Sequence, residues 1–117
     1  MKILIVDDNG DLRLLIKNAL ASFFGETVEI REASTVSEAR LALADFPPDV
    51  VFSDVNIGND FGPDLVPDFR ARSPHALVCL MSGKAEPPNH GADRFFPKPV
   101  KIASFRNAVL EAGTRAA

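Results

Sequence analysis

Three aspartates, a serine and a lysine are the residues of this chain whose positions suggest chemistry. Asp7 and Asp8 follow the apolar run Ile3-Leu4-Ile5-Val6, and Asp54 closes Val50-Val51-Phe52-Ser53. Ser82 follows the apolar residues 76–81, and Lys98 stands between Pro97 and Pro99, just after Arg94-Phe95-Phe96. Carboxylates brought together raise one another's pKa unless a cation joins them. Magnesium suits such a set, because it is hard, takes oxygen ligands and commonly uses one or two carboxylates with phosphate oxygens and water. Asn56 can add its backbone carbonyl oxygen. Lys98 offers a point charge and Ser82 a hydroxyl to phosphoryl oxygens. The combination suits phosphoryl transfer onto a carboxylate, where catalysis is mostly positioning and charge neutralisation. Taken singly, each position has a plainer reading, since paired aspartates after a strand commonly form a solvated turn or a helix cap. The signal is that all of them share one rim.

They share it only if the runs that carry them are parallel strands. Ile3-Leu4-Ile5-Val6 and Val50-Val51-Phe52 are short continuous apolar blocks, as in strands covered on both faces. Ligand crevices of open α/β sheets lie at the C-terminal ends of such strands, where Asp54 stands. Residues 27–31 alternate and predict a strand nearer the edge, residues 76–81 a fourth strand and residues 94–96 a fifth. Between them, Asn9-Gly10 is a turn signal, and Asp11 can cap a helix with Leu12, Ile16, Ala19, Leu20 and Phe23 on one face, stopping near Gly25. Leu14 and Leu15 add apolar surface beyond that stripe. Thr35 and Glu38 have capping-box spacing before a helix whose Ala39, Leu41, Ala42 and Leu43 can pack on the sheet. Residues 55–62 predict a loop, followed by a helix to Arg72 that the interior Pro67 should shorten or bend. Ile102, Phe105, Arg106, Val109 and Leu110 set a closing helix. Residues 83–93 form a connection of eleven residues with Pro87-Pro88, too short for a helical crossover beyond one loose turn. The pattern predicts a doubly wound α/β domain with a five-stranded parallel sheet.

With 117 residues, 46% of them hydrophobic, the chain reads as one folded domain, residues 1–117, without an output domain. A net charge of −3 argues against a nucleic-acid surface. No apolar run approaches the ~20 residues that span a bilayer, and the N-terminal apolar run meets two aspartates too soon for a signal peptide. Cys79 is alone, which excludes an internal disulfide and a cysteine zinc cage and points to an inert core thiol in a cytoplasmic protein.

The motifs Ile5-Val6-Asp7-Asp8, Ser53-Asp54-Val55-Asn56, Met81-Ser82-Gly83 and Phe95-Phe96-Pro97-Lys98-Pro99 resemble those of the response-regulator receiver domain, the CheY-like module of two-component signalling. The resemblance spans essentially the whole chain and implies a flavodoxin-like strand order 2-1-3-4-5. It implies that Asp54 is the phosphoacceptor, taking its phosphoryl group from a histidine kinase or a histidine phosphotransfer protein. Asp8 and Asp54 would hold Mg²⁺ with the Asn56 carbonyl, and Asp7 would act largely through water. Ser82 and Lys98 would bind the phosphoryl oxygens, and Phe95 would be the switching aromatic. The Lys98–Pro99 bond would be cis. Leu12, Leu15, Pro99 and Ile102 would line the docking surface for the donor.

The chain departs from that pattern twice. Gly58 replaces a usual proline, which should loosen the loop after Asp54 and make its ordering by metal or phosphate more pronounced. The connection after Ser82 lacks the length of the usual fourth helix, so signalling through a conventional dimer face is not expected; residues 83–90 would instead order on phosphorylation. The function expected is that of a single-domain response regulator acting by protein–protein contact. It would be no enzyme beyond its own phosphorylation and dephosphorylation, and would bind neither nucleic acid nor membrane. The alternatives are a receiver-fold interaction module that is never phosphorylated and a Mg²⁺-dependent aspartyl-phosphate phosphatase. Against the latter, the haloacid-dehalogenase type carries an Asp-x-Asp motif after its first strand, and Asp7-Asp8 lacks that spacing.

Overall fold

The computed structural model describes residues 1–115. Five parallel strands, β1 (Lys2–Val6), β2 (Glu29–Ala33), β3 (Val50–Asp54), β4 (Leu77–Ser82) and β5 (Arg94–Pro97), form one sheet in the order β2-β1-β3-β4-β5. The helices are α1 (Gly10–Phe24), α2 (Val36–Leu43), α3 (Val66–Arg72) and α4 (Ile102–Arg115). Alternation along the strands divides the core. Leu4, Val6, Val51 and Val78 face α2 and α3, while Ile3, Ile5, Val50, Phe52, Leu77, Cys79 and Met81 face α1 and α4. Burial on both faces is why these strands read as unbroken apolar runs. Phe52 meets Phe105 of α4 edge-to-face at 5.1 Å between ring centroids. Burial pushes the Cys79 thiol up to about 12, which makes it inert.

Local chemistry sets the element ends. Asn9, not Asp11, caps α1: its side-chain oxygen accepts the amides of Asp11 and Leu12 at 3.0 and 3.2 Å. Thr35 caps α2 by accepting the Glu38 amide at 3.0 Å, and Glu38 reaches back to the backbone and hydroxyl of Ser34. β2 begins two residues later than its alternation suggested, at Glu29. Leu41 is 74% exposed and Phe23 46%, so neither lies on the buried face of its helix. In α4, Ala108 and Ala112 join Phe105 and Val109 inside, while Ile102 and Leu110 face outward. Small residues there let the helix lie close to the sheet. Pro67 falls in the first turn of α3, where its missing amide costs nothing, because a 3₁₀ turn over Gly62–Leu65 precedes it. The helix is nonetheless short, at 7 residues.

Residues 55–62 are more than a loop: Asn56–Ile57 pairs antiparallel with Asp60–Phe61 in a small ribbon. No helix forms between β4 and β5. No helix among the described residues is long and apolar enough to cross a membrane.

Candidate functional site

The register of the sheet brings the chemical residues together. Val6 pairs with Ser53, Asp54 with Met81, and Ser82 with Pro97, so β1, β3, β4 and β5 end at one rim. There, ligand oxygens of Asp7, Asp8 and Asp54 all lie within 4.8 Å of one another. Asp7 is fully buried and Asp54 8% exposed, whereas Asp8 faces solvent. The Lys98 ammonium donates to Asp7 Oδ2 at 3.2 Å and to Asp54 Oδ2 at 3.1 Å. The backbone amide of Lys98 donates to the Ser82 carbonyl at 2.8 Å, so the end of β4 sets where the lysine stands. The Lys98–Pro99 peptide is cis.

Backbone amides hold the second oxygens. The Asn9 amide donates to Asp7 Oδ1 at 2.9 Å, the Gly58 amide to Asp8 Oδ2 at 3.0 Å, and the Asn56 amide to Asp54 Oδ1 at a long 3.4 Å. Arg13 donates from Nη1 to the Asp7 carbonyl at 2.6 Å and from Nε to Glu32 at 3.1 Å, bracing the end of β1. Burial raises the Asp7 pKa and the charge of Asp54 adds to the rise, while the Asn9 amide and Lys98 pull against it. For Lys98, burial pulls the pKa down, but its hydrogen bond to Asp54 and the charges of Asp7 and Asp54 outweigh this and leave it raised. One ammonium against three carboxylates leaves two negative charges at the rim, the charge of one divalent cation. The donor set is all oxygen, and Asp7 is buried with too little positive charge beside it. Both features fit Mg²⁺.

Ser82 is 2% exposed, and its hydroxyl oxygen accepts the Lys84 amide at 3.0 Å, so the rim serine is tied to the segment that follows it. Phe95 is half-buried opposite Leu80, its ring stacked on that of His90 with centroids 6.5 Å apart. His90 Nδ1 accepts the Ala92 amide at 3.0 Å, so Nε2 carries the proton toward Glu86, 2.6 Å away. Among the docking residues, Leu15 (48%) and Ile102 (41%) are exposed, as is Pro99, while Leu12 packs partly into the core beside α1 and α4.

Four features of the site were not anticipated. The amides of Asn9 and Gly58 have no mark in a sequence, because every residue but proline carries one. The Gly58-Asn59 pair between Ile57 and Asp60 was a hairpin signal, and the structure places a two-residue ribbon loop there. Gly58 stands in that ribbon's turn, with its amide on Asp8. Gly62 lies against the acceptor: a Cβ there would stand 1.9 Å from the Asp54 carbonyl oxygen, and its amide donates to the Val55 carbonyl at 2.6 Å. Only glycine permits that approach. The fourth is His90, which reads as isolated in sequence.

Comparison with known proteins agrees with this geometry. Residues 3–110 match the family described as "Response regulator receiver domain". The chain is 32% identical over 117 aligned residues to the response regulator protein PilR of Pseudomonas aeruginosa, covering 95% of this chain and 26% of PilR. It spans about a quarter to a half of the length of the curated relatives it matches. Among solved structures, a two-component response regulator from Clostridium difficile superposes with a TM-score of 0.86 at 21% identity, covering 99% of this chain and 98% of that one. A response regulator protein from Burkholderia pseudomallei with a phosphorylated aspartic acid, a calcium ion and citrate gives 0.76 at 22% identity, covering 97% and 69%.

Proposed function

We propose that this chain, which belongs to the response regulator receiver domain family, takes a phosphoryl group from a phosphohistidine onto Asp54 and passes the signal on by protein–protein contact. One observation carries the reading: three carboxylates converge within 4.8 Å, with an ammonium 3.1 Å from Asp54 Oδ2. The Burkholderia pseudomallei neighbour, with its phosphorylated aspartic acid and calcium ion, supports it.

In this reading Asp8, Asp54 and the Asn56 carbonyl would hold Mg²⁺ directly, and Asp7 would act largely through bound water. When bound there, the cation would supply neutralisation of the charge that builds up as the phosphoryl group arrives. A carboxylate oxygen of Asp54 attacks phosphorus. The new P–O bond forms as the P–N bond to the donor histidine breaks, and the electron pair returns to the imidazole nitrogen, which takes up a proton. Lys98 pairs with one phosphoryl oxygen. The Ser82 hydroxyl turns from the Lys84 amide to donate to another, and Phe95 turns inward with it. The donor is a histidine kinase or histidine phosphotransfer protein, docking over Leu12, Leu15, Pro99 and Ile102. The chain acts on itself alone, hydrolysing its own acyl phosphate and no external ester. It works in the cytoplasm as an adaptor or relay and contacts neither nucleic acid nor membrane.

Phosphoramidate, a small phosphorus–nitrogen donor, tests this directly. After incubation with phosphoramidate and Mg²⁺, borohydride reduces an acyl phosphate to the alcohol, and peptide mapping is expected to find homoserine at position 54. Reduction elsewhere, or none, would contradict the assignment of Asp54. Turnover of p-nitrophenyl phosphate would instead make the chain a phosphatase.

A further inference from the structure

Asp8 differs from the other two carboxylates of the site. Asp7 and Asp54 are buried in the strand ends, and each is held by Lys98 and by an amide two residues on. Asp8 is exposed, and the ion pairs of Lys98 go to Asp7 and Asp54 instead. Among the described residues, its one protein donor is the Gly58 amide, 50 positions along the chain. An exposed aspartate with no partner samples several rotamers, and gathering it into a cation site then costs conformational entropy. One distant amide removes that freedom.

That amide sits in a tight turn tied to the core. Gly58 is the first of two loop residues between the paired Ile57 and Asp60, with φ at +61°. A positive φ at the first loop position followed by a negative one is the type II′ hairpin pattern, which favours glycine there. Ile57, 2% exposed, plugs the ribbon into the core beneath α2 and α3. The carboxylate thus accepts from Gly58 through Oδ2, and its other oxygen stays available to a cation. A proline at this position would supply neither the conformation nor the donor.

We propose that the Gly58 N–H is a positioning group of the cation site: it orients the Asp8 carboxylate and couples the ribbon over residues 56–61 to metal binding. This rests on the reading of Asp7, Asp8 and Asp54 as the Mg²⁺ site. Because coupling is reciprocal, Mg²⁺ in turn slows hydrogen exchange at the Gly58 amide.

The test removes the N–H alone. Replacing the Ile57–Gly58 amide by an ester, with glycolate at position 58, deletes the donor and keeps the torsional freedom of glycine. Leu20→Ala does the reverse: it leaves the Gly58 donor in place and destabilises the fold by truncating a fully buried side chain in the core layer of α1 and α4. The chain has no Trp or Tyr, so Mg²⁺ affinity is read by titration calorimetry, beside metal-free thermal melting. The ester variant is expected to bind Mg²⁺ about tenfold more weakly, the low end for loss of an outer-shell partner. Leu20→Ala is expected to melt earlier yet keep its affinity, a split that would not arise if the ester weakened binding only by destabilising the fold. An ester variant that binds like the wild type, or a Leu20→Ala variant that weakens as much as the ester, would overturn the proposal while leaving the metal site intact. Absence of Mg²⁺ binding by the wild type would overturn both.

Discussion

Lys98 is the residue on which the charge balance of the rim turns. It bridges Asp7 and Asp54 at 3.2 and 3.1 Å, and its pKa is raised above the ordinary 10.5. A raised lysine contributes stability that is fully present below 10.5 and lost as pH rises through its folded value. Lys98→Met would leave Asp7 buried without its counter-charge, and should cost about 1–3 kcal/mol near neutral pH. Urea unfolding measures this. The variant should also lose part of the alkaline fall in stability, and Mg²⁺ should stabilise it more than the wild type, since the cation takes over the missing charge. An unchanged alkaline limb would contradict the pairing. At this scale the sequence is easy to read where side chains carry formal charge at the ends of apolar runs. Asp7, Asp8, Asp54, Ser82 and Lys98 announce themselves in that way. The amides of Asn9 and Gly58 do not, because a backbone donor becomes specific only once the chain is folded.

The connection between β4 and β5 poses the question at the scale of elements, since it holds its place without a helix. Arg70 of α3 does much of this. Its guanidinium donates to the carbonyls of Ala76 and Gly91 at 2.7 and 3.2 Å and to Asp93 Oδ2 at 2.9 Å. Asp93 also accepts the Val78 amide at 2.9 Å and pairs with Arg115 of α4 at 3.4 Å. One carboxylate therefore ties β4, α3 and α4 to the start of β5. Burial raises the Asp93 pKa, but the Val78 amide and the two arginines outweigh it and leave the pKa below its ordinary 3.8. A depressed carboxylate contributes stability that is present above 3.8 and lost as pH falls through its folded value. Asp93→Asn keeps an acceptor for Val78 and loses the charge, so a cost of about 1–2 kcal/mol near neutral pH is expected. In acid the variant and wild type should converge, and a gap that persists there would place the effect elsewhere. The shortness of this connection was legible from its length and prolines. Its brace was not, because Arg70 and Asp93 are 23 residues apart and meet only after the sheet has formed. The ribbon over residues 56–61 escaped notice for a related reason: strands of two residues are too short to show alternation.

The whole molecule is a sheet between two apolar layers, and its strand order decides where function can reside. The lateral order in which successive strands are added reverses at β1, which has β2 on one side and β3 on the other. Outside the carboxyl ends of strands flanking such a point, loops run apart and leave a crevice. Asp7, Asp8 and Asp54 fill that crevice, which is why residues from opposite parts of the chain share one rim. The alternation of strands and helices was readable from apolar periodicity alone. The lateral order was not, since β1, β3 and β4 all read as buried apolar runs and nothing in their composition says which lies beside which. That order followed from the family resemblance, and the structure bears it out.

Intact mass after incubation with acetyl phosphate tests most directly whether this crevice is a phosphoacceptor site. Wild type and Asp54→Ala are compared, each with Mg²⁺ and with chelator. One phosphoryl adduct on the wild type, lost without Mg²⁺ and lost in Asp54→Ala, is the expected result. An adduct that survives Asp54→Ala, or no adduct under any condition, would contradict it and leave a receiver fold whose site is silent.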